Sequence, residues 1–298
     1  MNDRELIRRR VLRGIALNRI PGLHFPGNFL DVSFDKVARS GVRLSLDPGP
    51  WCTDAAGEVD LSALAMLADL ALGASIRAQL SRETRIATVN LSLQFTGAPA
   101  RGRLRAQGEF QGFFHRAAGR LGLSCVSVVG SAGQVCYGTG SFMALQPPKG
   151  MSLHPVPLRK RGFSEPFPLK LSQLEKSEKE ILKQAESALA APGTFIENFW
   201  GGAGVLQNGL HAGNRVGHAQ GGILIAMAAK HAAEKLAGGW RLATISAFYI
   251  SPGEGRTLRA RSTIVHRGGL TAVVRTEVTG KNRRLVLEVL STHKALGR

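Results

Sequence analysis

Acidic residues, aromatics and cysteines are all scarce in this 298-residue chain. Asp and Glu total 21 against 39 Lys and Arg, leaving a formal net charge of +18. That excess calls for a polyanion: nucleic acid, an anionic membrane or a phosphorylated small molecule. Aromatics make up only 6% of the residues. No compact Lys/Arg cluster interleaves with them, so no nucleic-acid partner is expected. A small polyanion such as coenzyme A fits the charge better, with most of the other basic side chains solvated. The three cysteines, Cys52, Cys125 and Cys136, have neither zinc-ligand nor redox-motif spacing. Cys125 and Cys136 lie in strand-like runs and read as small core hydrophobes. This usage fits a reducing cytoplasm, and no metal or cofactor is expected. No apolar run is long enough to span a bilayer, so no membrane insertion is expected. Met1 to Arg13 lacks a long apolar stretch and reads as a short basic helix, not a signal peptide.

What the chain does have is a 44% hydrophobic fraction, enough for two ordinary domains with buried cores. It also has an internal repeat. Ala87-Thr88-Val89 and then Gly102-Arg103-Leu104-Arg105-Ala106 return as Ala243-Thr244-Ile245 and Arg256-Thr257-Leu258-Arg259-Ala260. His115-Arg116 returns as His266-Arg267, and Met143-Ala144-Leu145 as Lys294-Ala295-Leu296. An apolar helical segment precedes each series: Asp60 to Leu80 and Gln220 to Leu236. The first carries Asp69 on a Leu/Ala face and lacks an opening glycine pair. The second opens Gln220-Gly221-Gly222 and has Ala229 where the aspartate would fall.

The spacing predicts strands around Val42–Leu46, Thr88–Thr96, Arg103–Phe110, Leu121–Val129 and Val135–Leu145. In the second half it predicts strands around Ala243–Ile250, Thr257–Val265, Thr271–Thr279 and Leu285–Thr292. The expected organisation is a basic leader over residues 1–21, a first module over 22–146, a linker with an amphipathic helix over 147–192, and a second module over 193–298. The amphipathic helix, Leu171 to Ala191, is expected to be capped by Ser172 with Glu175. A helix apolar nearly all round must be buried on most sides. An antiparallel sheet curled around each helix does this and gives an α+β double hotdog, its two sheets joined edge to edge.

The segment Asn214-Arg215-Val216-Gly217-His218-Ala219-Gln220-Gly221-Gly222 resembles the approach to the central helix in hotdog acyl-CoA thioesterases of the phenylacetate-pathway type. There an Asn is followed six residues later by His or Gln, then by Gly-Gly. Asp60 to Asp69 resembles the acidic form of the same helix. Ala87-Thr88-Val89-Asn90-Leu91 resembles the next strand, which often carries a Ser or Thr that orients water. The resemblance covers both halves and implies hydrolysis of an acyl-CoA thioester at one composite site. Asp69 would act as general base or as nucleophile. Gly221 would offer its N–H from a helix start to the polarised carbonyl. Thr88 would hold water, Asn214, Gln220 and Gly222 would bind substrate, and His218 would stay a loop residue. Asn214 can instead shape its loop, Gln220 cap its helix, and the glycines allow close packing. The pseudo-equivalent position, Ala229 with Asp60-Leu61-Ser62, would be dead or structural.

Two other readings stay open. His24-Phe25-Pro26-Gly27 resembles the catalytic segment of hotdog hydroxyacyl-carrier-protein dehydratases, although here the helix follows more than thirty residues later and a plain loop is the simpler reading. Loss of one acid also allows a non-catalytic acyl-CoA-binding protein. Arg101, Arg103, Arg256 and Arg259 are candidates for coenzyme A phosphates. Two fused modules can associate again as a homodimer.

Overall fold

The computed structural model describes residues 2–81, 84–114, 120–145, 169–202 and 204–297. The first half runs α1 (Asp3–Asn18), α2 (Phe25–Leu30), β1 (Ser33–Ala38), β2 (Gly41–Leu46), α3 (Leu61–Arg77), β3 (Arg85–Phe95), β4 (Leu104–Phe114), β5 (Leu121–Gly130) and β6 (Gly133–Leu145). The second half runs α4 (Lys176–Ala190), α5 (Phe195–Phe199), β7 (Val205–Gln207), α6 (Gly221–Leu236), β8 (Trp240–Tyr249), β9 (Thr257–Arg267), β10 (Thr271–Thr279) and β11 (Leu285–Ala295). The expected linker at 147–168 and His115-Arg116 of the repeat lie outside the described residues.

All eleven strands form one antiparallel sheet in the order β1-β2-β4-β5-β6-β3-β8-β11-β10-β9-β7. The halves mirror each other about its centre, where β3 pairs with β8. The pair Leu91–Ala247 marks the pseudo-twofold axis: each residue lies four positions past its own repeat landmark, Ala87 or Ala243. Just beside it the hydroxyls of Ser92 and Ser246 hydrogen-bond at 3.3 Å. The seam turns what would be two exposed edges into an interior ladder.

α3 and α6 each pack across the strands of their own half and against one another. Their composition explains this. Leu64, Ala65, Met66, Leu67, Ala68, Ala71 and Leu72 are buried on nearly every side of α3, as are Ile223 to Ala229 on α6. The closest approach is at Gly222, where a Cβ would lie 2.5 Å from the Met66 nitrogen and 2.6 Å from its Cα. Only glycine lets the two backbones meet there.

The basic leader is not detached. Ile7, Val11 and Ile15 of α1 are buried in the main core. That core is continuous across both halves. The short helices α2 and α5 are its aromatic keystone: Phe25, Phe29, Phe195, Phe199 and Trp200 stack with ring centroids 4.9–6.5 Å apart. α4 starts later than the sequence predicts. Its N-cap is Glu175, boxed with Glu178, instead of Ser172. The earlier residues Leu171–Gln173 form a separate 3-10 turn. Cys136 is buried as expected, while Cys125 is only partly so and accepts from Gln111 Nε2.

Candidate active site at the helix pair

A cavity of about 670 Å³ opens at the end of the helix pair where α6 begins. Leu70, Ile86, Phe142, Met143, Leu224 and Val286 give it apolar walls. Polar groups converge on one point. Gln220 is the N-cap of α6: its Oε1 accepts from the Ile223 N–H, and its Nε2 donates to Asp69 Oδ2 at 3.0 Å across the helix interface. Thr88, on β3, donates its hydroxyl to Asp69 Oδ1 at 3.3 Å. Thr88 from the first half and Gln220 from the second therefore meet around the single buried carboxylate of Asp69. Gln220 caps its helix, one of the two roles the sequence left open for it, and also holds Asp69.

Burial raises the Asp69 carboxyl to about 6, against the pull of the Thr88 and Gln220 hydrogen bonds. Burial disfavours the ion, whereas donors favour it. The result is a carboxylate that holds its proton in mild acid and releases it near neutrality, the range a general base needs.

Gly221 lines the cavity. It is the first residue of α6, and among the described residues its N–H meets no acceptor. Free N–H groups at a helix start carry partial positive charge. Gly222, expected to touch substrate, does not line the cavity; it is spent on the Met66 contact. Asn214 does line it, but its Oδ1 accepts from Val216 N (3.0 Å) and His218 N (3.1 Å), holding the loop before α6 in a turn. His218 is also on the wall, 3.6 Å from Glu254.

Sequence reasoning missed Tyr249. This residue ends β8, lines the cavity, and has a buried hydroxyl with no hydrogen-bond partner among the described residues. That hydroxyl would lie 2.7 Å from a Cβ on Gly221. Its pKa is raised well above the usual phenol value by burial and by the charge of Asp69. It is therefore a permanent neutral donor. The only signal was its rarity: the chain has two tyrosines, and this one precedes the Ser251-Pro252-Gly253 turn.

His24, read most simply as a loop residue, is instead the N-cap of α2 and stands on the wall of the same cavity. Its Nδ1 accepts from the Gly27 N–H at 3.1 Å. Burial, then the charge of Arg215, lowers its pKa to about 4. The ring is neutral at working pH, with Nδ1 occupied and Nε2 carrying the proton. The arginines proposed for phosphate lie elsewhere. Arg101 donates to the Ala56 carbonyl, Arg103 binds Ser45 and Asp47, and neither lines the cavity, nor do Arg256 and Arg259.

At the opposite end of the helix pair, Asp60 caps α3 and is almost wholly buried. Its Oδ1 accepts from the Ser62 N–H and its Oδ2 takes a 2.6 Å bond from Lys230 Nζ. Lys230 is the neighbour of Ala229, where the second aspartate would fall. Among the described residues no cluster of three His, Cys, Asp or Glu is placed to hold a metal ion. No helix among them is long and apolar enough to cross a membrane.

No protein-family model matches the chain, and no curated protein matches it in sequence. Its three-dimensional likenesses are extensive. A provisionally named oleoyl thioesterase from Lactobacillus plantarum matches 87% of this chain and 98% of its own, with TM-score 0.56 and 10% identity. A hot dog protein of unknown function from Alicyclobacillus acidocaldarius matches 90% and 96%, with TM-score 0.52 and 10% identity. A 12:0-ACP thioesterase from Umbellularia californica matches 85% and 93%, with TM-score 0.52 and 11% identity. At such identities the likeness establishes the fold. The chain has the hotdog fold, an α+β arrangement of helices on a large antiparallel sheet.

Proposed function

We propose that this double hotdog hydrolyses an acyl-CoA thioester to free acid and thiol at one composite site between its two repeats. The observation that carries the reading is the pair of hydrogen bonds from Thr88 and Gln220 to Asp69, beside the unpaired Gly221 N–H, on the wall of a largely apolar cavity. The acyl chain occupies the apolar walls. The thioester carbonyl lies against the Gly221 N–H and the Tyr249 hydroxyl, two preorganised donors for the charge that develops on oxygen. Asp69 takes a proton from water as the water oxygen adds to the carbonyl carbon. The carbon–sulfur bond then breaks, and the proton held by Asp69 passes to the departing sulfur, which restores the carboxylate. Direct attack by Asp69 is the alternative route and forms an anhydride that water then cleaves. Thr88 and Gln220 fix the carboxylate for either route, and the lone pairs of Thr88 Oγ1 remain open to water. The names of the structural neighbours agree with thioester hydrolysis as a class.

Thiol release from a panel of acyl-CoAs tests the reading. Asp69→Asn preserves shape and is expected to lower kcat at least ~100-fold. Turnover unchanged in that variant sinks the assignment.

A second reading, hydration of an enoyl thioester, draws support from His24 on the same cavity wall. Its capped Nδ1 leaves it a donor, not a base, which favours hydrolysis. Water addition to an enoyl-CoA without thiol release would select the second reading.

A further inference from the structure

The two repeats differ sharply beneath the later turns of their central helices. Ala71 of α3 corresponds to His231 of α6, each lying just past the Asp69 and Ala229 landmarks. On the sheet, Gly108 corresponds to Ser262, each just past Ala106 or Ala260. Strand register extends the match: Gly108 pairs with Val126, and Ser262 with Thr276. In the first half this region is closed apolar packing. A Cβ on Gly108 would lie 2.4 Å from the Ala71 carbonyl oxygen, and Val42 of β2 pairs with Gly108 from the outer side. In the second half the same positions form a hydrogen-bonded chain. His231 Nδ1 lies 2.7 Å from Ser262 Oγ, which lies 2.7 Å from Thr276 Oγ1.

The outer strand also stops short there. β7 pairs with β9 only from Thr257 to Arg259, so no strand covers Ser262 from outside among the described residues. A second cavity of about 670 Å³ opens at this edge, lined by His231 and Ser262, with Glu234, Lys235 and Arg261 exposed around it. Thr276 is fully buried, whereas Ser262 keeps 8% exposure and reaches the cavity. The His231 ring is held against backbone: a Cβ on Gly204 would lie 2.3 Å from its Cδ2. Ala260 donates its N–H outward, to the Gly204 carbonyl at 2.7 Å. Backbone groups alternate sides along a strand, so the Ser262 N–H leaves by the same edge, beside its own hydroxyl.

We infer that Ser262 is a second nucleophile, activated by His231, that accepts the acyl group of a carboxylic ester at a site separate from Asp69. His231 carries its proton on Nε2, so Ser262 donates to Nδ1 and accepts from Thr276. The serine oxygen adds to the carbonyl carbon while its proton moves to Nδ1. The Ser262 N–H faces the carbonyl oxygen, where charge develops. The carbon–oxygen bond to the leaving group then breaks, and the alcohol departs with the proton from Nδ1. Water follows the same route: Nδ1 takes its proton, its oxygen adds to the acyl carbon, and the proton returns to Ser262 as the acid is released. The apolar lining is only Ala260 and Ile264, which suits a short acyl group. Lys235 and Arg261 outnumber Glu234 and favour an ester that bears negative charge.

A fluorophosphonate tests this directly, because the serine oxygen displaces fluoride from phosphorus and leaves a stable adduct that peptide mapping locates. Asp69→Asn protein is the background throughout, so success or failure of the thioesterase reading does not alter the result. The adduct is expected on Ser262 and is expected to be absent from that peptide in Ser262→Ala. His231→Asn gives Ser262 a hydrogen-bonding partner but no base, and should slow labelling roughly 100-fold. Acid-quenched protein turning over p-nitrophenyl acetate is expected to carry the acetyl group on Ser262. Mapping with Ser262 in place needs no substitution beneath α6 to fold. An adduct missing from Ser262, or one formed as fast in His231→Asn as with the histidine present, would overturn the inference. So would turnover of the acetate ester that never acetylates Ser262.

Discussion

At one end of the helix pair Gln220 caps α6 and donates to Asp69 across the interface; at the other, Asp60 caps α3 and accepts from Lys230. The geometry is the same: an N-cap of one helix reaches a polar side chain in the third turn of its partner. The energetics are opposite. Asp60 is 3% exposed and meets a full positive charge, so its own charge is matched. Asp69 is buried against two neutral donors, and its pKa rises to about 6. One end has converted a buried charge into a structural pair. The other holds a buried carboxylate that is under-stabilised, next to a donor-lined cavity. Strained or under-satisfied groups of this kind mark functional sites.

The comparison can be broken in several ways, taken from the largest expected effect to the smallest. Gly222→Ala forces a Cβ into the Met66 backbone and should cost about 3 kcal/mol or more, read as loss of soluble protein or a collapsed melting temperature. It disables both ends, because both depend on the helix contact. Lys230→Met leaves Asp60 with only Ser62 and should cost about 3 kcal/mol in urea unfolding, with kcat retained. A large loss of turnover with unchanged stability would contradict the structural role given to that end. Tyr249→Phe removes one carbonyl donor and should reduce kcat roughly 100-fold without destabilising the fold, since its hydroxyl has no partner to lose.

Asp69→Asn should stabilise the protein. The folded carboxyl prefers its proton, so its contribution is present below its unfolded value and lost as pH rises through about 6. The gap corresponds to about 3 kcal/mol at most, and a gain of about 2 kcal/mol at pH 8 is expected. The gain should vanish near pH 4. The smallest effect is on the pH–rate profile. kcat/KM of the wild type should fall about tenfold per pH unit below about 6, as Asp69 protonates, and flatten above it.

Much of the framework was legible. The two apolar helices and the strands after them stand out because long periodic runs leave little choice of element, and Thr271–Thr279 emerges with its predicted ends. The pairing of Asp69 with the start of the second helix could be anticipated because the repeat shows which half has lost what. The rest depends on contacts between distant residues. α2 and α5 are too short for periodicity and exist because their aromatics stack together. Lys230 reads as a surface residue until Asp60 is seen 2.6 Å away. Tyr249 reads as an ordinary strand residue, and only the empty surroundings of its hydroxyl single it out. Asn214 was visible as special, but its turn chemistry looks the same in sequence as ligand binding.

The β3–β8 seam has a consequence for how this protein could diverge. Where two identical chains meet about a true twofold axis, every substitution is made twice, so a lysine beside one helix end appears beside the other as well. Here Leu91 and Ala247 face each other across the axis as different residues of one chain. Each position is inherited separately. One end of the helix pair could trade reactivity for firmness while the other kept a poorly solvated acid, a division of labour closed to a symmetric pair.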